Sequence, residues 1–208
     1  MRFHVIAVAR CSLRGGAVHG ATFEVMDRDA LPLRRITRVE FDRLGELGMF
    51  ENERIELLRG VLVPMSPEGL PHVSVSLWFT RRLMRTLEDE YVVRPDKPFA
   101  ANEDSEPVPD LVITREDPRV AHPSTALLMI EISDSSLRKD RGIKRELYGE
   151  CGVPEYWVVD VSKEGAVSVE VYTEPTADGY ARMVTMRDGD VLRPLHVPIE
   201  IAVSDIPR

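Results

Sequence analysis

Residues 126–160 read ALLMIEISDSSLRKDRGIKRELYGECGVPEYWVVD, and the fold is decided in this stretch. Residues 126–132 form an apolar run of buried-strand length that carries one carboxylate, Glu131, near its end. Asp134, Ser135 and Ser136 offer N-cap side chains for a helix running to about Tyr148, and Gly149, Gly152 and Pro154 are its stop signals. Residues 155–160 (EYWVVD) are aromatic and β-branched, which predicts the next strand. A strand, a helix and a strand in one sheet imply a right-handed crossover and a parallel pair. Glu131 is the anomaly. A carboxylate in an apolar strand is costly unless a cation or hydrogen-bond donors hold it, and that cost marks a candidate site.

Upstream, the chain reads as a domain from Thr37 onward. Thr37 and Glu40 make a capping box ahead of VEFDRLGELG, a short helix closed near Gly48. Residues 54–64 (RIELLRGVLVP) predict a hairpin turning at Arg59-Gly60. Residues 72–87 predict a second helix, with Val73, Leu77, Leu83, Met84 and Leu87 as its apolar stripe and Arg81, Arg82 and Arg85 largely off it. Residues 91–94 and 97–101 are short strand candidates, 102–109 a polar, acidic loop, and 110–114 (DLVIT) a strand. Downstream, residues 168–172, 180–185 and 190–192 predict an antiparallel closing meander, with turns at 177–179 and 188–189. No internal repeat, low-complexity tract or linker interrupts this order, so the expectation is one α/β domain.

Size and composition agree. The chain has 208 residues with 43% apolar content, enough for one well-buried domain, and 30% charged residues, as in a soluble globular protein. No apolar run approaches the roughly 18 residues of a membrane-spanning helix. Cys11 and Cys151 are too few for a disulfide framework and form no CxxC pair, so a reducing cytoplasm is the expected compartment. The net charge of −8 argues against bulk nonspecific binding of nucleic acid, while leaving room for a local basic surface around an acidic, metal-filled site. Residues 1–25 read differently from the rest. They hold no acidic residue before Glu24, and VIAVA is shorter than a signal-peptide core. FHVIAVA has the composition of a short strand, but the favoured reading is a loosely packed extension ahead of a domain at 34–208, with Met26 as an alternative start.

The chemistry gathers on a few side chains. Asp110 heads one predicted strand and Glu131 ends another. If those strands are antiparallel neighbours, the carboxylates meet at one end of the sheet. Two carboxylates, a backbone carbonyl and waters make a hard, oxygen-rich site suited to Mg²⁺. Lys144 and Tyr148 share a helix face by their i, i+4 spacing, so a helix packed on the sheet would bring Lys144 over the carboxylates. Ordinary readings compete. Asp110 after Pro109 is common turn chemistry. Glu131 would be satisfied by a buried pair with Arg141 or Arg145, Lys144 by solvent, and Tyr148 by packing. Glu56 alternates with Ile55 and Leu57 and would face solvent equally well, and His72 after Pro71 would cap or stack. The cluster Arg138, Lys139, Arg141, Lys144 and Arg145 either approaches phosphates or forms a solvated helix face.

Pro109-Asp110, then Glu131, then a lysine, on an αβββαβ order, resembles the PD-(D/E)XK nuclease superfamily. Within it, RIELLRGVLVPMSPEGLPH, PVPDLVI and EISDSSLRKDRGIKRELYGECGVPEYWVVD resemble the Uma2 (DUF820) family of restriction-endonuclease-like proteins, over roughly residues 38–203. The resemblance implies an α/β fold with a mixed αβββαβ sheet core, flanking helices and extra antiparallel strands. It also implies a Mg²⁺-dependent endonuclease, with Mn²⁺ as a substitute, acting on DNA, and it admits a homodimer that cuts both strands. Asp110 and Glu131 would bind the metal, Lys144 would be the catalytic lysine and Glu56 a further metal-binding acid. His72 stands at a family-typical position with no settled role. One departure matters, because the lysine of a plain E-x-K motif stands two residues after the glutamate, where this chain has Ser133. The lysine must then come from the helix. Lys139 is the rival to Lys144, separated from it by about 140° at 3.6 residues per turn, so only one of them is expected to face the sheet. The competing function is a non-catalytic nucleic-acid- or protein-binding module that keeps the fold, and a weaker one is a hydrolase of RNA or nucleotides. No helix-turn-helix or zinc module is present to select a sequence.

Overall fold

Every residue of the strands at Leu111–Thr114 and Leu128–Ser133 is buried, because both faces of the sheet they build are covered. The structure, a computed structural model, describes residues 5–8, 24–27, 34–163 and 165–208. It divides into two units, residues 1–35 and 36–208. In the first, β1 (Val5–Val8) pairs antiparallel with β2 (Glu24–Asp27), so FHVIAVA does supply a strand. The loose packing expected elsewhere in residues 1–33 lies outside the described residues.

The second unit opens with α1 (Arg38–Glu46), where the Thr37 hydroxyl accepts the Glu40 N–H and the Glu40 carboxylate accepts the Thr37 N–H in return. A hairpin follows, β3 (Ile55–Leu58) and β4 (Val61–Pro64). Its two turn residues, Arg59 and Gly60, have φ of 50° and 74°, the left-handed pair that a tight two-residue hairpin turn requires. Next come α2 (Leu70–Thr86), β5 (Val92–Pro95), β6 (Leu111–Thr114), β7 (Leu128–Ser133), α3 (Leu137–Lys139), a π turn (Asp140–Lys144), α4 (Arg145–Glu150) and β8 (Glu155–Lys163). The chain closes with β9 (Ala166–Thr176), β10 (Gly179–Met186), β11 (Val191–Leu192) and β12 (Ile201–Ala202). The main sheet runs β10-β9-β8-β7-β6-β5, with β7 and β8 parallel and its other pairs antiparallel. From α2 to β8 the order is αβββαβ, and β9 and β10 are the extra antiparallel strands. Among the described residues no helix is long and apolar enough to cross a membrane.

Alternation along the strands sorts the core into two layers. On one face Val75, Phe79 and Leu83 of α2 pack with Leu111, Ile113, Leu128, Ile130, Ile132 and Trp157. On the other, Val112, Met129, Tyr156 and Val158 pack with Phe99 and Tyr148. Parity puts Asp110 with Val112 and Glu131 with Met129, on the face covered by α4.

Four expectations are corrected. The helix after Glu131 is not continuous, because Gly142 (φ −103°, ψ −106°) leaves helical geometry and a π turn replaces the α-turn there. Residues 97–101 make no strand. Pro98 has no N–H for a ladder, and the Phe99 and Ala100 amides bond instead to Pro107 and Pro123 carbonyls. The stripe expected to bury α2 faces outward at Val73, Leu77 and Met84, which are 38%, 50% and 54% exposed. The i, i+4, i+8 row of Val75, Phe79 and Leu83 sets the helix phase instead, with Phe79 filling the larger volume. Residues 191–192 leave the meander and pair with β12.

Candidate active site

The register of β6 on β7, with Leu111 opposite Ile130, carries Asp110 to the level of Glu131 at one end of the sheet. Asp110 is held from two sides. Its Oδ2 accepts the Ile132 N–H at 2.6 Å, and its Oδ1 lies 3.0 Å from His72 Nε2 at the start of α2. Glu131, 3% exposed, receives two donors on Oε1, Lys144 Nζ at 2.7 Å and the Tyr148 hydroxyl at 2.8 Å. Lys144 also lies 3.3 Å from Glu56 Oε2 and 3.5 Å from the Val108 carbonyl. Glu56 in turn takes Lys139 Nζ on Oε1 at 2.5 Å and the Val108 N–H on Oε2 at 3.3 Å. The four charged groups therefore alternate along one chain, Lys139, Glu56, Lys144, Glu131.

Both lysines reach the same carboxylate, against the expectation that only one would face the sheet. The 140° separation assumed α-helical winding. The Arg145 N–H bonds to the Asp140 carbonyl, an i to i+5 closure, and Gly142, between the two lysines, leaves helical geometry, so the angle of a continuous α-helix does not separate Lys139 from Lys144. Asp140, 1% exposed, anchors this turn, its Oδ2 accepting the hydroxyls of Ser133, at 2.6 Å, and Ser136. Ser133 thus fills the motif's lysine position with a group that fixes the turn carrying the displaced lysine. Sequence reading missed the parts of Ser133 and Asp140, and it held Lys139 only as a rival. Their signal was the Ser133, Ser136, Asp140 spacing, in which hydroxyls precede an aspartate by seven and four residues.

The arginines considered for Glu131 are engaged elsewhere. Arg141 pairs with Asp160 at 3.1 Å and Glu170 at 2.8 Å, and Arg145 lies 3.4 Å from Glu146. Outside the site, Asp42 of α1, Glu106 and His122 bring ligand atoms within 4.8 Å of one another, with His122 Nδ1 2.9 Å from Glu106 Oε2. Nothing in their spacing along the chain signals this group.

The electrostatics follow from burial and neighbours. Burial acts to lower the Lys144 pKa, but Glu131, Glu56 and Asp140 outweigh it, so this lysine is held as an ammonium. Burial acts to raise Glu56, yet Lys144 and Lys139 bring it below the ordinary value. Glu131 goes the other way. Burial pushes it well above the usual carboxylate range, with Asp140, Asp110 and Glu56 adding to the push and Lys144 opposing it. The two directions at the Lys144–Glu131 contact differ. The ammonium and phenol donors converging on Oε1 are those a carboxylate accepts, so the ion pair is the ground state. Burial and Glu131 keep Tyr148 a protonated donor. His72, which burial would lower, is raised by its bond to Asp110.

An open cleft lies over the site, bounded by the loop before α2, the ends of β6 and β7 and the π turn. Glu68, Asp110, Glu131, Asp134 and Asp140 line it together with Lys139, Lys144 and His72, so carboxylates outnumber lysines. Among the described residues, Glu131 Oε2 receives no hydrogen bond. The residues therefore fit a divalent cation, having hard oxygen donors, an open position and an excess of negative charge. Glu56 fits that role less well than expected, since it is fully buried, both its oxygens are bonded and it does not line the cleft.

Comparison with known proteins agrees with this architecture. A solved structure, that of "a putative nuclease belonging to DUF820 from Anabaena variabilis", matches with a TM-score of 0.60 at 18% identity, covering 82% of this chain and 97% of that one. At that identity the likeness is one of fold. No curated protein matches the chain. The profile of Uma2, described as "Putative restriction endonuclease", matches residues 38–204. That span takes in both carboxylates, both lysines and the whole of the main sheet, and the chain belongs to the Uma2 family.

Proposed function

We propose that the chain is a Mg²⁺-dependent endonuclease that hydrolyses phosphodiester bonds in DNA, with Mn²⁺ able to replace Mg²⁺. The observation that carries this reading is the meeting of Asp110 and Glu131 at one sheet end with the Lys144 ammonium 2.7 Å from Glu131. Membership of a family described as "Putative restriction endonuclease" supports nucleic acid as the substrate class. Asp110 and Glu131 are the residues that would hold the ion, which when bound supplies Lewis acidity at the phosphate and lowers the pKa of a water. His72 and the Ile132 amide orient Asp110, and Tyr148 fixes one Glu131 oxygen, leaving the other to the cleft. Lys144, held protonated, serves as a fixed positive charge that offsets negative charge at the phosphoryl group, rather than as a base. Residues 34–208 form the catalytic domain, with residues 1–33 an extension. Two cysteines without a CxxC pair suit a reducing cytoplasm, and a pair of copies would cut both strands.

A second reading, a binding module without catalysis, draws on the net charge of −8 and on the engagement of Lys144 by two carboxylates. One experiment separates them. Supercoiled plasmid, single-stranded DNA and RNA are incubated with the protein in Mg²⁺, Mn²⁺ or EDTA, beside Asp110→Ala and Lys144→Ala. The expected outcome is metal-dependent DNA cleavage reduced about 10²-fold or more in both variants, the scale of losing a transition-state charge contact. Cleavage retained by Asp110→Ala, or binding without cleavage in every metal, would reject the nuclease.

A further inference from the structure

We propose that Lys139 is a phosphate-binding residue of this site, set beside Lys144 by Glu56, and that Glu56 positions the two lysines instead of holding the ion. The proposal rests on the nuclease reading and assigns its nucleic-acid contact.

The two lysines differ in what their donors already do. An ammonium has three N–H donors. Those of Lys144 find Glu131 at 2.7 Å, Glu56 at 3.3 Å and the Val108 carbonyl at 3.5 Å, and its side chain is 2% exposed. Lys144 is saturated and enclosed. Lys139 finds one acceptor among the described residues, Glu56 Oε1 at 2.5 Å, and its side chain is 22% exposed at the cleft wall. Two of its donors remain for an arriving group, and the acceptor that suits them in a nuclease cleft is a non-bridging oxygen of a backbone phosphate. Lys144 lacks such a free face, so the contact falls to Lys139.

Glu56 explains why Lys139 is held there. A lysine has four rotatable side-chain bonds and a large ordering entropy, so an unanchored one is a poor phosphate ligand. The fully buried Glu56 carboxylate, fixed by the Val108 N–H at 3.3 Å, removes that freedom while leaving the ammonium positive toward the cleft. With two ammoniums and an amide on its two oxygens, Glu56 has little capacity left for a cation. The π turn is the backbone requirement, since α-helical winding would take one lysine off the carboxylate.

The test measures binding of a fluorescein-labelled DNA duplex in Ca²⁺ across a salt series, and Mn²⁺ affinity by calorimetry without DNA. Wild type, Lys139→Ala, Lys139→Arg, Glu56→Gln, Asp110→Ala and the surface variant Arg193→Ala are compared, each checked by thermal melting. Lys139→Ala is expected to weaken DNA binding about tenfold, the scale of one charged hydrogen bond. It should also reduce the slope of log K against log salt by about 0.9, the value for one phosphate. Lys139→Arg should restore both, and in cleavage the Lys139→Ala loss should fall on KM rather than kcat. Glu56→Gln should weaken DNA binding yet bind Mn²⁺ as wild type does, whereas Asp110→Ala loses Mn²⁺. A Lys139→Ala protein with unchanged affinity and slope overturns the proposal while the nuclease stands. So does a Glu56→Gln protein that loses Mn²⁺ as Asp110→Ala does. A wild type that neither binds nor cuts nucleic acid rejects the nuclease reading and this proposal together.

Discussion

At the scale of single residues, the site is a sequence of contacts in which each charge is satisfied by the next. Glu131 is tolerable in an apolar strand because an ammonium and a phenol meet its Oε1, and Asp110 because an amide and an imidazole hold it. His72 gives a prediction with a definite sign. Its folded pKa is raised above the ordinary 6.5 by Asp110, against the lowering effect of burial. The stabilisation from this pair is therefore complete below the unfolded pKa and disappears as pH rises through the higher folded value. In thermal melts of metal-free protein from about pH 5.5 to 8.5, wild type should lead His72→Asn most at the acid end, the lead closing toward the alkaline end. A lead that widened with pH would refute the assignment. Asp110 and Glu131 were legible in the sequence as carboxylates at the ends of two strands, and the antiparallel pairing of β6 with β7 brings them together. Lys139 was not, because its place depends on a break in the helix that helical periodicity does not announce; the nearest local signal is the Ser133, Ser136, Asp140 spacing.

At the scale of elements, the segment from α3 to α4 is the working part. The stop signals read after Glu131 were of two kinds. Gly152, with φ of 72°, is the left-handed residue just past a helix end, as its sequence position suggested. Gly149 lies inside α4, and the need for glycine there comes from packing. A Cβ at Gly149 would stand 2.0 Å from the Gly179 carbonyl oxygen of β10, closer than any relaxed contact allows. Gly149→Ala should therefore cost about 1–3 kcal/mol, the range for forced overpacking, read as a lower urea midpoint with an unchanged m-value. A variant as stable as wild type would mean that α4 does not press on β10 as described. Because α4 carries Tyr148 and follows the turn carrying Lys144, the same variant should also lose cleavage.

At the scale of the whole molecule, the main sheet is covered on both faces, and the site lies where one covering layer meets a sheet end. Phe79, fully buried, ties α2 to the sheet layer formed by β6, β7 and β8. Phe79→Ala should destabilise the protein by about 3–5 kcal/mol, the scale for deleting a buried phenylalanine, measured by equilibrium urea unfolding. A loss well under 1 kcal/mol would show that α2 is anchored elsewhere. The net charge of −8 bears on the molecule as a whole, since the cleft itself carries more carboxylates than lysines. A bound cation would serve charge balance there as well as chemistry.

Local pattern alone determined the order of elements around Glu131, the capping box at Thr37 and the Arg59-Gly60 turn. Each depends on neighbours close in sequence or on the two-residue period of a strand. Only the tertiary structure decided which stripe of α2 is buried, because two apolar rows compete on that helix and the sheet selects the one with Phe79. The π turn, the engagement of Glu56 by two lysines and the pairing of His72 with Asp110 were likewise settled by packing. The last two join residues distant in the chain, and the energy of such a contact depends on burial and geometry that exist only once the sheet has formed.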